Sequence, residues 1–260
     1  MSVRAAGTTG LAIAVLAGMA LVWQLAATAA DDPVYWPPFS AVAARLWTAW
    51  LASPAAWTES VWPSLSRLLA GWAIAGVLGI AAGIAIGRYG VLRDGAAPAV
   101  AFLRSIPPPA VLPVVLVLLG AGDGMRIALI AFGVVWPILL NTADGVASVD
   151  PVQRDTARAY RLTAIDTVTR VVLPAAAPRI LAGLRVSLSI AVILMVISEL
   201  YAALNGIGFE LIQAQRTFRS LDVWAIILLL GIIGFALNAV LSVVETRVLP
   251  WRRIAEDGTT

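Results

Sequence analysis

Cysteine and histidine are absent from the 260 residues, no lysine occurs, and only 13% of the residues are charged. Without cysteine there are no disulfides and no thiolate chemistry. Without histidine the common metal ligand and the neutral-pH acid–base are missing as well. All 18 basic residues are arginine. That excludes Schiff-base chemistry and also the phosphate-binding P-loop, whose lysine reaches the nucleotide phosphates. If ATP drives this chain, a partner binds it. No stretch is long and polar enough for a second, soluble domain. What abounds instead is apolar: 60% of the residues are hydrophobic and mean hydropathy is +0.91. Soluble domains run at about 45–50% apolar and about 25% charged. The departure is the one expected when lipid is the solvent. The pI near 9.9 is compatible with nucleic acid. The arginines, however, lie between hydrophobic runs, as membrane orientation signals do, and no nucleic-acid partner is expected.

A spanning helix needs about 20 mostly apolar residues. Six runs qualify: Thr8 to Ala30, Leu68 to Gly87, Ala96 to Leu119, Arg126 to Thr142, Ile180 to Ala202 and Val223 to Val244. The third is interrupted by Arg104 and by Pro107, Pro108, Pro109 and Pro113; the fifth carries Arg185 and Glu199. With the N-terminus inside, the inner segments hold twelve arginines (Arg4, Arg88, Arg93, Arg154, Arg158, Arg161, Arg170, Arg179, Arg185, Arg247, Arg252 and Arg253). The outer segments hold five (Arg45, Arg67, Arg126, Arg216 and Arg219). Arginine-rich connections stay cytoplasmic, so both termini are expected in the cytoplasm. Arg4, the first apolar run and Ala27-Thr28-Ala29 also have the layout of a secretory signal. The run exceeds a signal core of about 7–15 residues, and an uncleaved span is the expectation.

Between the first two runs, Pro33, Pro37 and Pro38 predict an extended entry, and Ser40 is placed to cap a short helix through Leu51. Trp36, Trp47, Trp50, Trp57 and Trp62 gather here, as aromatic residues do at a membrane–water interface; docking of an outside partner is the other reading. Within the second run, Gly71, Ala75, Gly79, Gly83 and Gly87 recur every four residues. They predict a ridge of small side chains along one face, which lets a neighbouring helix approach closely.

The most polar part of the chain is the connection Gly145 to Arg179. Its charges alternate in sign: Asp150, Arg154, Asp155, Arg158, Arg161, Asp166, Arg170. Pro151 predicts the first turn of a short helix, with Arg154 to Leu162 helical. Asp166 is placed to cap a second, Thr167 to Leu173, ending at Pro174. A charged elbow this long is more than a connection needs, and such loops usually bind something.

The stretch Asp155-Thr156-Ala157-Arg158-Ala159-Tyr160-Arg161, nine residues, then Val171-Val172-Leu173-Pro174 resembles the "EAA" loop of binding-protein-dependent ABC importers. That loop reads Glu-Ala-Ala, three residues, Gly, nine residues, Ile, any residue, Leu-Pro. Asp155 stands for Glu, Ala157 for the second Ala and Val171 for Ile; Leu173 and Pro174 are identical. Thr156 replaces the first Ala, a mild change. Arg161 replaces the Gly, whose freedom at positive φ would form the turn between the two short helices. Arg161 is expected either to take a negative φ or to carry strain. Leu103-Arg104-Ser105-Ile106-Pro107-Pro108 through Gly120-Ala121-Gly122-Asp123 resembles the third-span segment of sulfonate, taurine and nitrate permeases. Trp136 to Thr142, Gly206-Ile207-Gly208-Phe209 and Leu211-Ile212 fit the same group. The resemblance covers roughly Ser64 to Thr246.

The resemblance implies an all-α membrane protein with the type I importer fold, six spans and a cytoplasmic coupling loop. It implies three parts: an N-terminal span with an outer interfacial segment (1–62), the importer domain (63–247) and a cytoplasmic tail (248–260). The partners would be a second copy or a paralogue, a cytoplasmic ATPase that binds ATP and magnesium, and an extracytoplasmic substrate-binding protein. The chain itself would bind no cofactor and no metal and would not be an enzyme. The docking residues implied are Asp155, Thr156, Ala157, Arg158 and Arg161, with Val171, Leu173 and Pro174 anchoring the second half. Substrate class is readable only by resemblance, as a small organic anion or a nitrate-like ion. Charges inside spans default to functional candidates because burying them is costly. Glu199 and Arg185 lie near span ends and are expected to reach the interface. Arg104, before Pro107 and Pro108, is open to two readings: pairing with a carboxylate or carbonyl, or attracting an anion in the pathway. An ion-gradient-driven transporter is the alternative, but no internal repeat and no mid-span carboxylate supports it. A membrane enzyme lacks paired carboxylates within a span, and the EAA-spaced loop belongs to importers rather than exporters.

Overall fold

The computed structural model describes residues 2–30, 32, 34–201 and 203–249, with side chains from residue 10 onward. Arg252, Arg253 and most of the expected tail lie outside the described residues, as do Asp31, Pro33, Ala202 and the side chain of Arg4. Every regular element among the described residues is helical. In chain order they are α1 (Ser2–Ala30), α2 (Phe39–Leu46), α3 (Pro54–Arg88), α4 (Gly90–Ser105), α5 (Pro108–Leu119), α6 (Asp123–Ala147), α7 (Pro151–Ala159), α8 (Ala164–Leu200), α9 (Ile207–Arg216) and α10 (Ser220–Val248). Five of them, α1, α3, α6, α8 and α10, are long and apolar enough to cross a membrane. α4 and α5 qualify together as a broken span, bent by 88°. The break has a local cause. A residue before proline is pushed out of the helical region, and both Ile106 (ψ 117°) and Pro107 (ψ 125°) are extended. Pro108 then opens α5 at a position where its missing N–H costs nothing.

The chain packs as two units. One comprises residues 1–63 and 205–232, the other 64–204 and 233–260. In the first, Trp23 of α1 meets Phe39 at 5.6 Å and Trp224 at 5.1 Å between ring centroids. The Trp23 indole donates to the Pro37 carbonyl (3.2 Å) and the Trp224 indole to the Tyr35 carbonyl (3.0 Å). The sequence places Ser40 as the cap of α2, but the structure does not: Pro38 occupies the cap position without a side-chain bond. The Ser40 N–H instead receives its acceptor from α1, the Gln24 side-chain carbonyl at 2.9 Å. α2 ends at Leu46 and continues through a wider π-helical turn, Trp47–Leu51. Trp36, Trp47, Trp57 and Trp62 are exposed, whereas Trp50 is buried. Arg45 pairs with Asp222, which Arg219 also contacts at 3.2 Å. The Asp222 hydrogen bond, with the attraction of its charge, holds the Arg45 guanidinium above its ordinary value against the opposing pull of burial. That cation persists at any physiological pH.

The second unit is built on α6 against α8, with α3 laid on α6. The small-residue ridge of α3 lies on α6. A Cβ placed on Gly71 would sit 2.8 Å from the Ile130 side chain, and one on Gly79 3.0 Å from Ile138. On Gly83 it would sit 2.5 Å from the Thr142 Cβ, and on Gly87 2.5 Å from the Ala143 carbonyl oxygen. Ala75 is fully buried in the same row. In hydrocarbon, where no hydrophobic force drives helices together, this close backbone approach supplies the packing energy. Trp72 reaches across to α8 and donates to the Ser187 hydroxyl at 2.9 Å.

Candidate functional site

The elbow between α6 and α8 is built by local rules. The Asp150 side chain accepts from the Val152 N–H at 2.8 Å and caps α7, with Pro151 in its first turn. α7 stops at Ala159, three residues short of the sequence expectation of Leu162. Its end carries the two bonds of a Schellman turn: Leu162 N–H to the Ala157 carbonyl (3.0 Å) and Arg161 N–H to the Arg158 carbonyl (2.9 Å). In that motif the residue between them is left-handed and usually glycine. Arg161 holds it, at φ +54°. Of the two outcomes the sequence left open, the strained one is realised. The loop keeps the turn a glycine would make, and the elbow enforces it.

The second short helix starts earlier than expected. Thr163, not Asp166, is the cap: its hydroxyl oxygen accepts from the Asp166 N–H at 3.1 Å and donates to the Asp166 carboxylate at 2.7 Å. This resembles a capping box, except that the Asp166 carboxylate takes the Thr163 hydroxyl rather than the Thr163 backbone N–H. Nor does the helix end at Pro174. It passes through a π-helical turn, Val168–Val172, and continues as α8 to Leu200. Proline lacks an N–H and crowds the carbonyl four residues back; the wider turn before it removes the demand for that hydrogen bond.

Of the residues expected to couple, Thr156, Ala157, Val171 and Pro174 line one groove of about 640 Å³, together with Val152 and Tyr160. Leu173 packs beneath, against the cluster of Val146, Val149, Val172, Ala176 and Ile180. Asp155 and Arg158 pair at 3.0 Å on the outer surface of α7. Val152, Tyr160 and Ile165 are 69, 78 and 76% exposed. An apolar cluster standing out of a charged elbow marks a contact surface.

A second cluster was not legible in the sequence. Arg67 (α3) and Arg126 (α6), both assigned above to outer connections, are 4% and 3% exposed. The Arg67 guanidinium donates to the Glu199 carboxylate at 2.8 Å and to the Asp123 carboxylate at 2.7 Å. Ser64 donates to Glu199 at 2.8 Å, and Arg126 meets Asp123 at 3.1 Å. Glu199 does not reach the interface; it is 1% exposed. Two arginines and two carboxylates neutralise each other, which is what allows Arg67, Arg126 and Glu199 to leave water while Asp123 stays exposed at the rim. Arg185 is half-exposed and pairs with Glu245.

Arg104 sits elsewhere, at the end of α4 before the bend. It is exposed and has no hydrogen-bond or ion-pair partner among the described residues, so the expected pairing with a carboxylate or carbonyl is not made. It borders a cavity of about 210 Å³ together with Arg93 and Asp144. Pro108 packs over Gly133 of α6. Pro107 is exposed at the bend. The structure does not bring Glu199 and Arg104 to one site.

The family model described as binding-protein-dependent transport system inner membrane component matches residues 75–254. The taurine transport system permease protein of Escherichia coli is 32% identical over 248 residues, covering 93% of this chain and 89% of that protein. The nitrate import permease protein of Leptolyngbya laminosa is 32% identical over 187 residues, 72% of this chain and 67% of its own length. A putative aliphatic sulfonates transport permease protein of Bacillus subtilis is 31% identical over 196 residues, 74% of this chain and 70% of that protein. Among solved structures, the MetNI methionine ABC transporter in an inward facing conformation superposes with a TM-score of 0.67 at 19% identity, covering 75% of this chain and 98% of that one. At that identity the match speaks for the fold alone. With these helices, this elbow and this extent of sequence identity, the chain belongs to the family of inner membrane components of binding-protein-dependent transport systems, the permeases of ABC importers.

Proposed function

We propose that this permease passes a small organic anion, such as a sulfonate, or a nitrate-like ion, by alternating access driven by partner ATPase subunits. The observation that carries the reading is the elbow. Its EAA spacing is held in a rigid capped helix, α7, beside an apolar groove that ends at Pro174. A short rigid helix moves as a unit, which suits the rigid-body rocking of alternating access. An ATPase surface seats against Asp155, Thr156, Ala157, Arg158 and Arg161, and Val171, Leu173 and Pro174 tie that contact to α8. ATP and magnesium belong to the ATPase. A binding protein delivers the substrate on the other side. The uncovered apolar residues of α4 and α5, among them Phe102 (69% exposed) and Val117 (84% exposed), suit a second permease copy or a paralogue and lipid. Arg104, charged and unpartnered beside the proline break, is the side chain best placed to attract an anion. The names of the taurine, nitrate and sulfonate relatives support that substrate class, and the arginine-rich elbow supports cytoplasmic termini.

The test is co-purification from membranes with a co-expressed partner ABC ATPase, followed by ATP hydrolysis with the binding protein loaded with taurine, an alkanesulfonate or nitrate. Stoichiometric association, with hydrolysis raised by one loaded ligand, is expected. Absence of association, with uptake following an ion gradient, would overturn the reading. Charge reversal at Asp155 combined with Ala157→Asp should cut ATPase retention at least about tenfold, or ~1.4 kcal/mol. Unchanged retention and transport would remove α7 from the coupling role. Arg104→Gln should lower uptake of the anion; unchanged affinity and rate would remove Arg104 from the pathway.

A further inference from the structure

We infer that the cavity between the end of α3 and the elbow binds the phosphate group of an anionic phospholipid. The cavity has a volume of about 460 Å³ and is lined by Arg88, Tyr89, Arg154 and Arg158, over a floor that includes Val146 and Val172. No carboxylate lines it. Arg88 has no hydrogen-bond or ion-pair partner among the described residues; its guanidinium lies 5.9 Å from the centre of the Tyr89 ring. Arg154 donates only to backbone, to the carbonyls of Ala147 (3.0 Å), the last residue of α6, and Val149 (2.6 Å) just beyond it. Its charge is therefore held in place but not neutralised. Arg158 alone has a carboxylate, Asp155 at 3.0 Å on the outer surface.

Two guanidinium groups without a carboxylate partner, one of them held in place by backbone carbonyls, around one cavity form a site for an anion. Arginine's planar fork matches phosphate oxygens two at a time. Phosphate reaches such a site from lipid or from solution, and the position selects lipid. The charge-free run of α3 from Leu68 to Gly87 ends at Arg88, where apolar chain gives way to headgroups. The cavity's valine floor suits the glycerol and upper acyl carbons of a lipid and gives a free phosphate ion nothing. Basic pockets at that depth beside spans bind anionic headgroups. The inference does not depend on the transported substrate. It would tie the elbow to the leaflet it faces.

Native mass spectrometry of the full chain, titrated with phosphatidylglycerol or phosphatidylcholine, tests it. Wild-type protein should retain phosphatidylglycerol in preference to phosphatidylcholine. Arg88→Gln should weaken that retention about fivefold, the effect expected of one arginine at a lipid surface. Arg93→Gln, whose arginine pairs with Asp144 outside this cavity, should leave it unchanged. Equal retention by Arg88→Gln and wild type would overturn the inference, as would an equal loss in Arg93→Gln. Should Arg88→Gln fail to fold, the wild-type chain decides. Phosphatidylglycerol should protect Arg88 from phenylglyoxal, read by peptide mapping, and phosphatidylcholine should not. Absence of protection, or protection by inorganic phosphate with no preference between the lipids, would overturn the lipid assignment.

Discussion

The two ends of the apolar stretch of α3 treat arginine in opposite ways. Near one end, Arg67 is buried and shared between Glu199 and Asp123. At the other, Arg88 is half-exposed and meets no carboxylate. Both flank the same small-residue ridge, and both looked alike as basic residues beside an apolar run. The difference lies in what neighbouring helices bring. At the Arg67 end, α6 and α8 supply carboxylates and the guanidinium is sealed in as part of a neutral group. At the Arg88 end, the elbow supplies two more arginines and the charge stays available to an outside anion. A basic residue at a span end is thus either a clasp or a receptor, and its neighbours decide which.

The comparison can be broken at either end. The largest effect is expected at the neutral cluster. Glu199→Ala leaves Arg67 buried beside one remaining carboxylate and should cost roughly 3–5 kcal/mol, read as a lowered midpoint of thermal unfolding in detergent. Adding Arg67→Met should recover part of that loss, because the stranded charge is gone; purely additive losses would mean that the two residues act separately. Next comes the ridge between the two ends. Gly83→Ala places a methyl group 2.5 Å from the Thr142 Cβ and should cost about 1–3 kcal/mol; an unchanged midpoint would mean that α3 moves away freely. A smaller effect belongs to the elbow. Arg161→Val puts a β-branched side chain at φ +54° and should cost about 1–2 kcal/mol, whereas Arg161→Gly should keep the turn without that loss of stability, read as an unchanged or raised midpoint of thermal unfolding. The smallest effect on stability is expected at Arg88: Arg88→Gln should stay within about 0.5 kcal/mol in detergent while losing preference for anionic lipid. A large destabilisation there would make Arg88 a clasp like Arg67.

The left-handed turn at Arg161 has a counterpart in the other unit. Phe218 sits at φ +55° after α9, with the Arg219 N–H bonded to the Ala214 carbonyl at 2.9 Å. Neither turn contains the glycine that marks such ends in a sequence. At Arg161 the family pattern has glycine, which marks the turn; no comparable signal accompanies Phe218. Likewise the Thr163 cap is written in the sequence as Thr-x-x-Asp, a near relative of the capping box, although Asp166 has cap chemistry of its own.

Residue order alone determined the membrane class, the apolar runs, the proline break at 106–108, the small-residue period of α3 and the spacing of the coupling loop. Each is a property of neighbours along the chain: hydropathy over about 20 residues, a proline's effect on the residue before it, a four-residue helical repeat. Only the tertiary structure decided which charges meet. Arg67 and Glu199 are 132 positions apart, and Arg67 and Asp123 are 56 apart. No local pattern encodes such a pairing, because an ion pair depends on where helices place their side chains in space. The same holds for Arg88, whose availability follows from the absence of a carboxylate in a cavity that forms only when α3, α6 and the elbow come together.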